Sequence, residues 1–158
     1  MLFRSVLAGK VGSNIAGELG TMRITEQIDA LEVMGINSTS YLVLPKIIAA
    51  VIVFPMLVTI AAFLAIWGGY LAGWLTGAIA PQEYIQGIQY EFKPFNVPFA
   101  LIKAVVFAFL IVTISSFQGY FTSGGALEVG QSSTKAVTNS CIAVLIADYL
   151  LASLLITN

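Results

Sequence analysis

From Ile47 to Ala80 the chain carries no charged side chain. As one helix this run would be about 51 Å long, against a bilayer hydrocarbon core of about 30 Å, and no globular core segment needs such a length. It has to cross a membrane with a tilt, a bend or an extension beyond the hydrocarbon. Two further apolar runs are interrupted once each, Phe99 to Phe121 by Lys103 and Ala136 to Ile156 by Asp148. With 58% hydrophobic and only 9% charged residues, the chain has too little charge to cover a water-soluble fold. The expected class is an all-α membrane protein: a polytopic helical bundle with transmembrane helices at 47–80, 99–121 and 136–156. Pro55 is the natural place for a bend in the first of these, because it removes one backbone donor. Gly69, Gly73 and Gly77 repeat a four-residue spacing suited to close helix packing. A split into two re-entrant pieces at Trp67-Gly68-Gly69 is the alternative, which would need that irregular backbone to be buried.

The stretch from Val6 to Gly20 is apolar and rich in small residues, but at about 22 Å it is too short to span alone. Ala8, Gly12, Ala16 and Gly20 recur every fourth position and form a stripe for another helix; the segment reads as the end of a membrane helix. Residues 22–35 differ. Ile24, Ile28, Leu31 and Met34 lie on one helical face and Glu26, Asp29 and Glu32 on another, the pattern of a short amphipathic helix. Thr25 is its expected N-cap, with Glu26 in the first turn, and Gly35 followed by Ile36 its expected C-cap. The acidic face argues against rest on an anionic leaflet and for docking on a protein. Pro81 to Pro98, with Glu83, Glu91, Lys93 and the interfacial aromatics Tyr90, Phe92 and Phe95, reads as a loop, and so does the Gly/Ser-rich stretch from Thr122 to Lys135. Arg23, Lys46 and Lys135 fall on one side and Lys93 on the other, so the positive-inside rule puts residues 21–46 and 122–135 in the cytoplasm.

Several function classes are excluded. Net charge is −1 with no basic cluster, so nucleic acid is not an expected partner. Without histidine and with the single Cys141, no disulfide framework, His/Cys metal site or nucleophile–base set can be assembled, and Cys141 in its apolar run reads as an inert packing residue. Gly125 to Gly130 has P-loop glycine spacing, but Gln131 and Ser132 stand where Lys and Ser/Thr are required. Lys10 and Glu18 interrupt the N-terminal stretch, which therefore does not read as a signal peptide.

One segment is specific. Met22-Arg-Ile-Thr-Glu-Gln-Ile-Asp-Ala-Leu-Glu-Val-Met-Gly-Ile-Asn37 followed by Tyr41-Leu-Val-Leu-Pro-Lys46 resembles the hallmark of MlaE-type permeases, the membrane subunits of ABC systems that work with MCE-domain proteins. The likeness extends to Ala8-Gly-Lys-Val-Gly12, Trp67-Gly-Gly69, Leu101-Ile-Lys-Ala-Val-Val-Phe107 and Val144-Leu-Ile-Ala-Asp-Tyr149. The resemblance implies five membrane helices, a cytoplasmic coupling helix after the second, and a homodimer enclosing a lipid cavity. It implies as partners an ABC ATPase subunit, an MCE-domain periplasmic protein, a second permease copy and membrane lipids. The expected location is the bacterial inner membrane, with no cofactor and no enzymatic centre on this chain. It also implies that an interfacial helix, a first membrane helix and an Arg-Glu-Leu-Gly-Pro stretch precede the residues present here.

On that resemblance the ATPase-coupling residues are Met22, Arg23, Glu26, Ile28, Asp29, Leu31, Glu32, Met34 and Gly35, and the packing positions are Gly12, Ala16, Gly69, Gly73 and Gly77. Lys103 either snorkels to the interface or faces the cavity, where it would hold a lipid phosphate. Asp148 lies mid-helix, where a carboxylate costs about 3 kcal/mol unless it faces protein or water, so it is expected to point inward. The expected function is a permease moving phospholipid or a related lipid between membranes, driven by a separate ATPase. The alternatives are a secondary transporter or channel with Lys103 and Asp148 on an ion path, and a membrane-assembly protein with no transport of its own.

Overall fold

The computed structural model describes residues 2–77, 80–91 and 96–156. They form six helices: α1 (Leu2–Ile24), α2 (Gln27–Val33), α3 (Ser38–Thr76), α4 (Pro81–Glu91), α5 (Asn96–Tyr120) and α6 (Ala126–Ile156). No strand occurs among the described residues. Three of the helices, α3, α5 and α6, are long and apolar enough to cross a membrane. The chain divides into two compact units, residues 1–51 with 106–158, and residues 52–105.

In the first unit, small residues set the packing. Ala8, Gly12, Ala16 and Gly20 are all buried, and α1 lies along α6. On α5 the buried positions Phe107, Ala108, Ile111, Val112, Ser115 and Ser116 follow an i, i+3, i+4 rhythm, while Phe109 and Phe117 on the opposite face are exposed, as helix sides facing lipid are. The approach of α5 to α1 is closest at Gly119: a Cβ there would stand 2.7 Å from the Ala16 carbonyl oxygen and 2.9 Å from the Leu19 Cβ. Backbone on backbone at this range tolerates only glycine.

The helix boundaries correct several expectations. The stretch read as a loop from Thr122 to Lys135 is mostly helix, because α6 begins at Ala126. Its hydroxyls are spent on the helices: Ser132 Oγ donates to the Gln118 carbonyl at 2.6 Å and accepts from Thr122 Oγ1 at 2.8 Å. Glu128 reaches back to accept the Gly125 N–H at 2.8 Å, the N3-to-N-cap half of a capping box, so the rejected P-loop spacing is a helix start.

Pro81 to Glu91, read as loop, is the helix α4. Proline at the first helical position and Glu83 in the first turn are start signals that the later Pro94 and Pro98 obscured. Phe92, Lys93 and Phe95, expected at the membrane interface, lie outside the described residues, as do Ala78 and Ile79 of the run 47–80 and Asn158 at the end.

The helix α3 starts earlier than expected, at Ser38, because Asn37 Oδ1 caps it by accepting the Ser40 N–H at 3.2 Å. It runs unbroken through Pro55 and through Trp67-Gly68-Gly69, which overturns the re-entrant alternative. Gly77 does not continue the packing series. It sits at φ 64 with open space around its Cβ position, which makes it the left-handed terminator of α3. In the second unit Gly69 instead makes room for Tyr84 of α4, whose hydroxyl donates to the Ile66 carbonyl at 2.9 Å. The two tyrosines Tyr70 and Tyr84 meet there, with ring centroids 6.1 Å apart.

Candidate functional site

The short helix α2 is where the chain concentrates its polar contacts. It is smaller than the expected 22–35 because Met22, Arg23 and Ile24 finish α1. Thr25 does not cap forward: its hydroxyl donates back to the Thr21 carbonyl at 2.8 Å. The turn is made by Glu26, at φ 59 in the left-handed region, a conformation that costs a non-glycine residue about 1 kcal/mol. The far end matches expectation. Gly35 is at φ 76, Ile36 N–H donates to the Leu31 carbonyl at 3.1 Å, and Gly35 N–H donates to the Glu32 carbonyl at 3.0 Å, the paired bonds of a Schellman cap.

The faces of α2 divide differently from the sequence pattern. Ile28 is fully buried and Leu31 half-buried, so these two anchor α2 to its own chain. Val33, at 88% exposure, and Met34, at 66%, point out. The acids Glu26, Asp29 and Glu32 are all exposed, as the pattern predicts, but two of them are also engaged by other helices. Glu32 Oε1 accepts the Ser38 hydroxyl at 2.8 Å and the Tyr120 hydroxyl at 2.9 Å, and those two oxygens stand 2.9 Å apart. Donation by Ser38, then by Tyr120, with the charge of Arg23 adding to them against some desolvation, holds the Glu32 carboxyl below its ordinary value.

Arg23 pairs with Asp29 at 2.5 Å and lies 5.8 Å from the centre of the Tyr120 ring, within cation–π range. A second ion pair, Lys46 Nζ to Glu18 at 2.6 Å, joins α3 to α1. Glu26 is exposed and contributes the turn through its backbone, with no side-chain cap bond, and Met22 is half-buried.

The sequence pattern does not single out Ser38, Tyr120 or Glu18 for these contacts. A tyrosine closing an apolar run is the signal that pointed to one of them, since its ring suits the membrane side and its hydroxyl seeks a polar partner.

The two intramembrane charges belong to different units, Lys103 to residues 52–105 and Asp148 to the other. Lys103 is buried, with its ammonium 4.5 Å from the centre of the Phe99 ring one helical turn back. Asp148 is half-buried. Of the expected packing positions, Gly12 and Ala16 lie in the core of the first unit and Gly69 under Tyr84, while Gly73 is half-buried. Among the described residues no group of His, Cys, Asp or Glu could hold a metal ion.

The family model for the permease MlaE matches residues 1–154. The chain belongs to the MlaE permease family. A probable ABC transporter permease protein of Rickettsia bellii is 44% identical over 94% of this chain and 58% of its own length. One from Synechocystis is 37% identical over 95% of this chain and 57% of its own length. The chloroplastic protein trigalactosyldiacylglycerol 1 of Arabidopsis thaliana is 35% identical, over 94% of this chain and 42% of its own length. The chain thus spans about 58% of the first of these relatives. The family match, over residues 1–154, takes in α1 to α5 and all of α6 but its last two residues.

Proposed function

We propose that this chain forms the membrane core of an ABC permease that moves phospholipid or a related lipid between membranes, powered by a separate ATPase chain. The observation that carries this reading is the construction of α2. One side is fixed to the membrane helices by Ile28, Glu32 and Arg23, and the other offers Val33 and Met34 to a partner. A helix so short is held in place by what surrounds it, so a load applied to its outer face is passed to the helices that hold it. The galactolipid in the name of the Arabidopsis relative supports a lipid cargo. On this reading the partners are the ATPase at α2, a second permease copy across an apolar lipid cavity, and an MCE-domain protein on the periplasmic side. The location is the bacterial inner membrane, with residues 21–46 and the α5–α6 turn in the cytoplasm. Buried Lys103 suits the orientation of a lipid phosphate. No cofactor is assigned to this chain, and ATP chemistry belongs to the partner.

The test is purification of the full-length permease from detergent, with co-purified chains and lipids identified by mass spectrometry. The informative variant is Val33→Asp/Met34→Asp, because aspartate at buried Ile28 would disturb the fold itself. Wild type is expected to carry an ATPase and phospholipid, and the folded double variant to lose the ATPase. A folded wild type without an ATPase, combined with gradient-dependent flux, would replace this reading with an ion path through Lys103 and Asp148.

A further inference from the structure

Helices α1, α2 and α3 follow one another in the chain, so covalent connection alone makes α1 and α3 respond to any displacement of α2. Helix α5 has no such connection. Its last residue, Tyr120, donates to Glu32 from 88 positions away in sequence, and its oxygen stands 2.9 Å from that of Ser38, the first residue of α3, which donates to the same carboxylate oxygen. Ser38 is 2% exposed, so the two donors meet at Glu32 beside a hydroxyl shielded from competing water. The acceptor is a carboxylate, and hydrogen bonds to charged acceptors are roughly twice as strong as neutral ones. Arg23 over the ring fixes the side chain from its other face.

Two features bear on how α5 meets α2. Gly119 packs α5 against α1, while Phe117 and Phe121, on either side of Tyr120, are exposed, so on the side of α2 this end of α5 is held by the polar contacts of Tyr120. Glu32 also lies on the helix whose outer residues Val33 and Met34 are unpartnered among the described residues, next to the position where a load would enter.

We propose that Tyr120 is the positioning residue that carries movement of α2 into α5, through its hydroxyl on Glu32 and Ser38. The proposal rests on the reading of α2 as the ATPase contact. It adds that the coupling of hydrolysis to transport, rather than attachment of the ATPase, depends on this hydroxyl. Tyr120→Phe is the suitable variant, since it removes one oxygen and leaves the ring beneath Arg23.

The full-length permease with its ATPase is reconstituted in phosphatidylethanolamine/phosphatidylglycerol vesicles, and transfer of a fluorescent phospholipid is measured together with ATP hydrolysis. Spin labels on Val33→Cys and Phe117→Cys, in a Cys141→Ser background, report the distance between α2 and α5. Tyr120→Phe is expected to retain the ATPase and its hydrolysis rate, to lower lipid moved per ATP by about tenfold, the loss of one charge-assisted hydrogen bond, and to broaden the distance distribution. An unchanged transfer ratio with an unchanged distance distribution overturns the proposal, and so does loss of transfer only in proportion to loss of bound ATPase. A wild type that neither binds nor hydrolyses ATP overturns the functional reading itself, a result distinct from a coupled wild type that ignores Tyr120→Phe.

Discussion

Glu26 and Gly35 bracket α2 with the same backbone geometry and opposite chemistry. Both have positive φ, 59 and 76 respectively, but only glycine reaches that region without a Cβ clash. Gly35→Ala is therefore expected to destabilise the folded permease by about 1 kcal/mol, and Glu26→Gly to be neutral or stabilising by a smaller amount, both read as shifts in the thermal unfolding midpoint in detergent. A loss on Glu26→Gly as large as that on Gly35→Ala would show that the Glu26 side chain rather than its backbone is what the turn requires.

Glu32 sets a pH dependence at the same scale. Its folded pKa is depressed, so its contribution is fully present above the unfolded carboxylate value of about 4.3 and is lost as pH falls through the folded value. The protection of amides in residues 27–33, taken as the ratio of intrinsic to observed exchange rate at each pH, is expected to hold at pH 7 and to fall as pH drops below about 4.3, and Glu32→Gln to flatten that dependence. Loss of protection already near pH 6 would point to another titrating group.

At the scale of elements, packing by small residues governs the first unit. Gly119→Ala would press a methyl against the Ala16 backbone, where neither helix can yield by moving a side chain. An overpacking cost of about 1–3 kcal/mol is expected, measurable as a lower unfolding midpoint, whereas the same change at Gly130, where a Cβ meets open space, should cost nothing by contact. Much of this level is legible in sequence. The stripe Ala8, Gly12, Ala16 and Gly20 announces itself by spacing, and the uncharged run in α3 by length. What is not legible has a common physical cause. Gly, Ser and Thr from Thr122 to Lys135 suit exposed turns and close helix contacts alike, as the bonds of Ser132 to Gln118 and Thr122 show, and composition alone does not separate the two. Likewise the acids of α2 look like one solvated face because the periodicity does not show that Ser38 and Tyr120 claim Glu32. The faces of a helix as short as α2 are assigned by its neighbours, so Ile28 turns inward and Val33 outward.

At the scale of the molecule, the number of crossings fixes which surfaces share a compartment. On the proposed reading, a crossing by α3, which is unbroken between α2 and α4, puts those two helices on opposite sides of a membrane, and a further crossing by α5 returns the α5–α6 turn to the side of α2. The hydrogen bond between Tyr120 and Glu32 requires the same return independently of any count of crossings. Basic residues at Arg23, Lys46 and Lys135 favour the cytoplasm for that side. In a Cys141→Ser background of the full-length protein, Val33→Cys is therefore expected to react with a membrane-impermeant thiol reagent only in inverted vesicles, and Tyr90→Cys, at 91% exposure on α4, only in intact spheroplasts. The reverse pattern would invert the orientation and remove α2 from the reach of a cytoplasmic ATPase. Labelling of both from one side would mean that α3 does not cross, and its uncharged run from Ile47 on would then have to be covered by other protein to stay out of water.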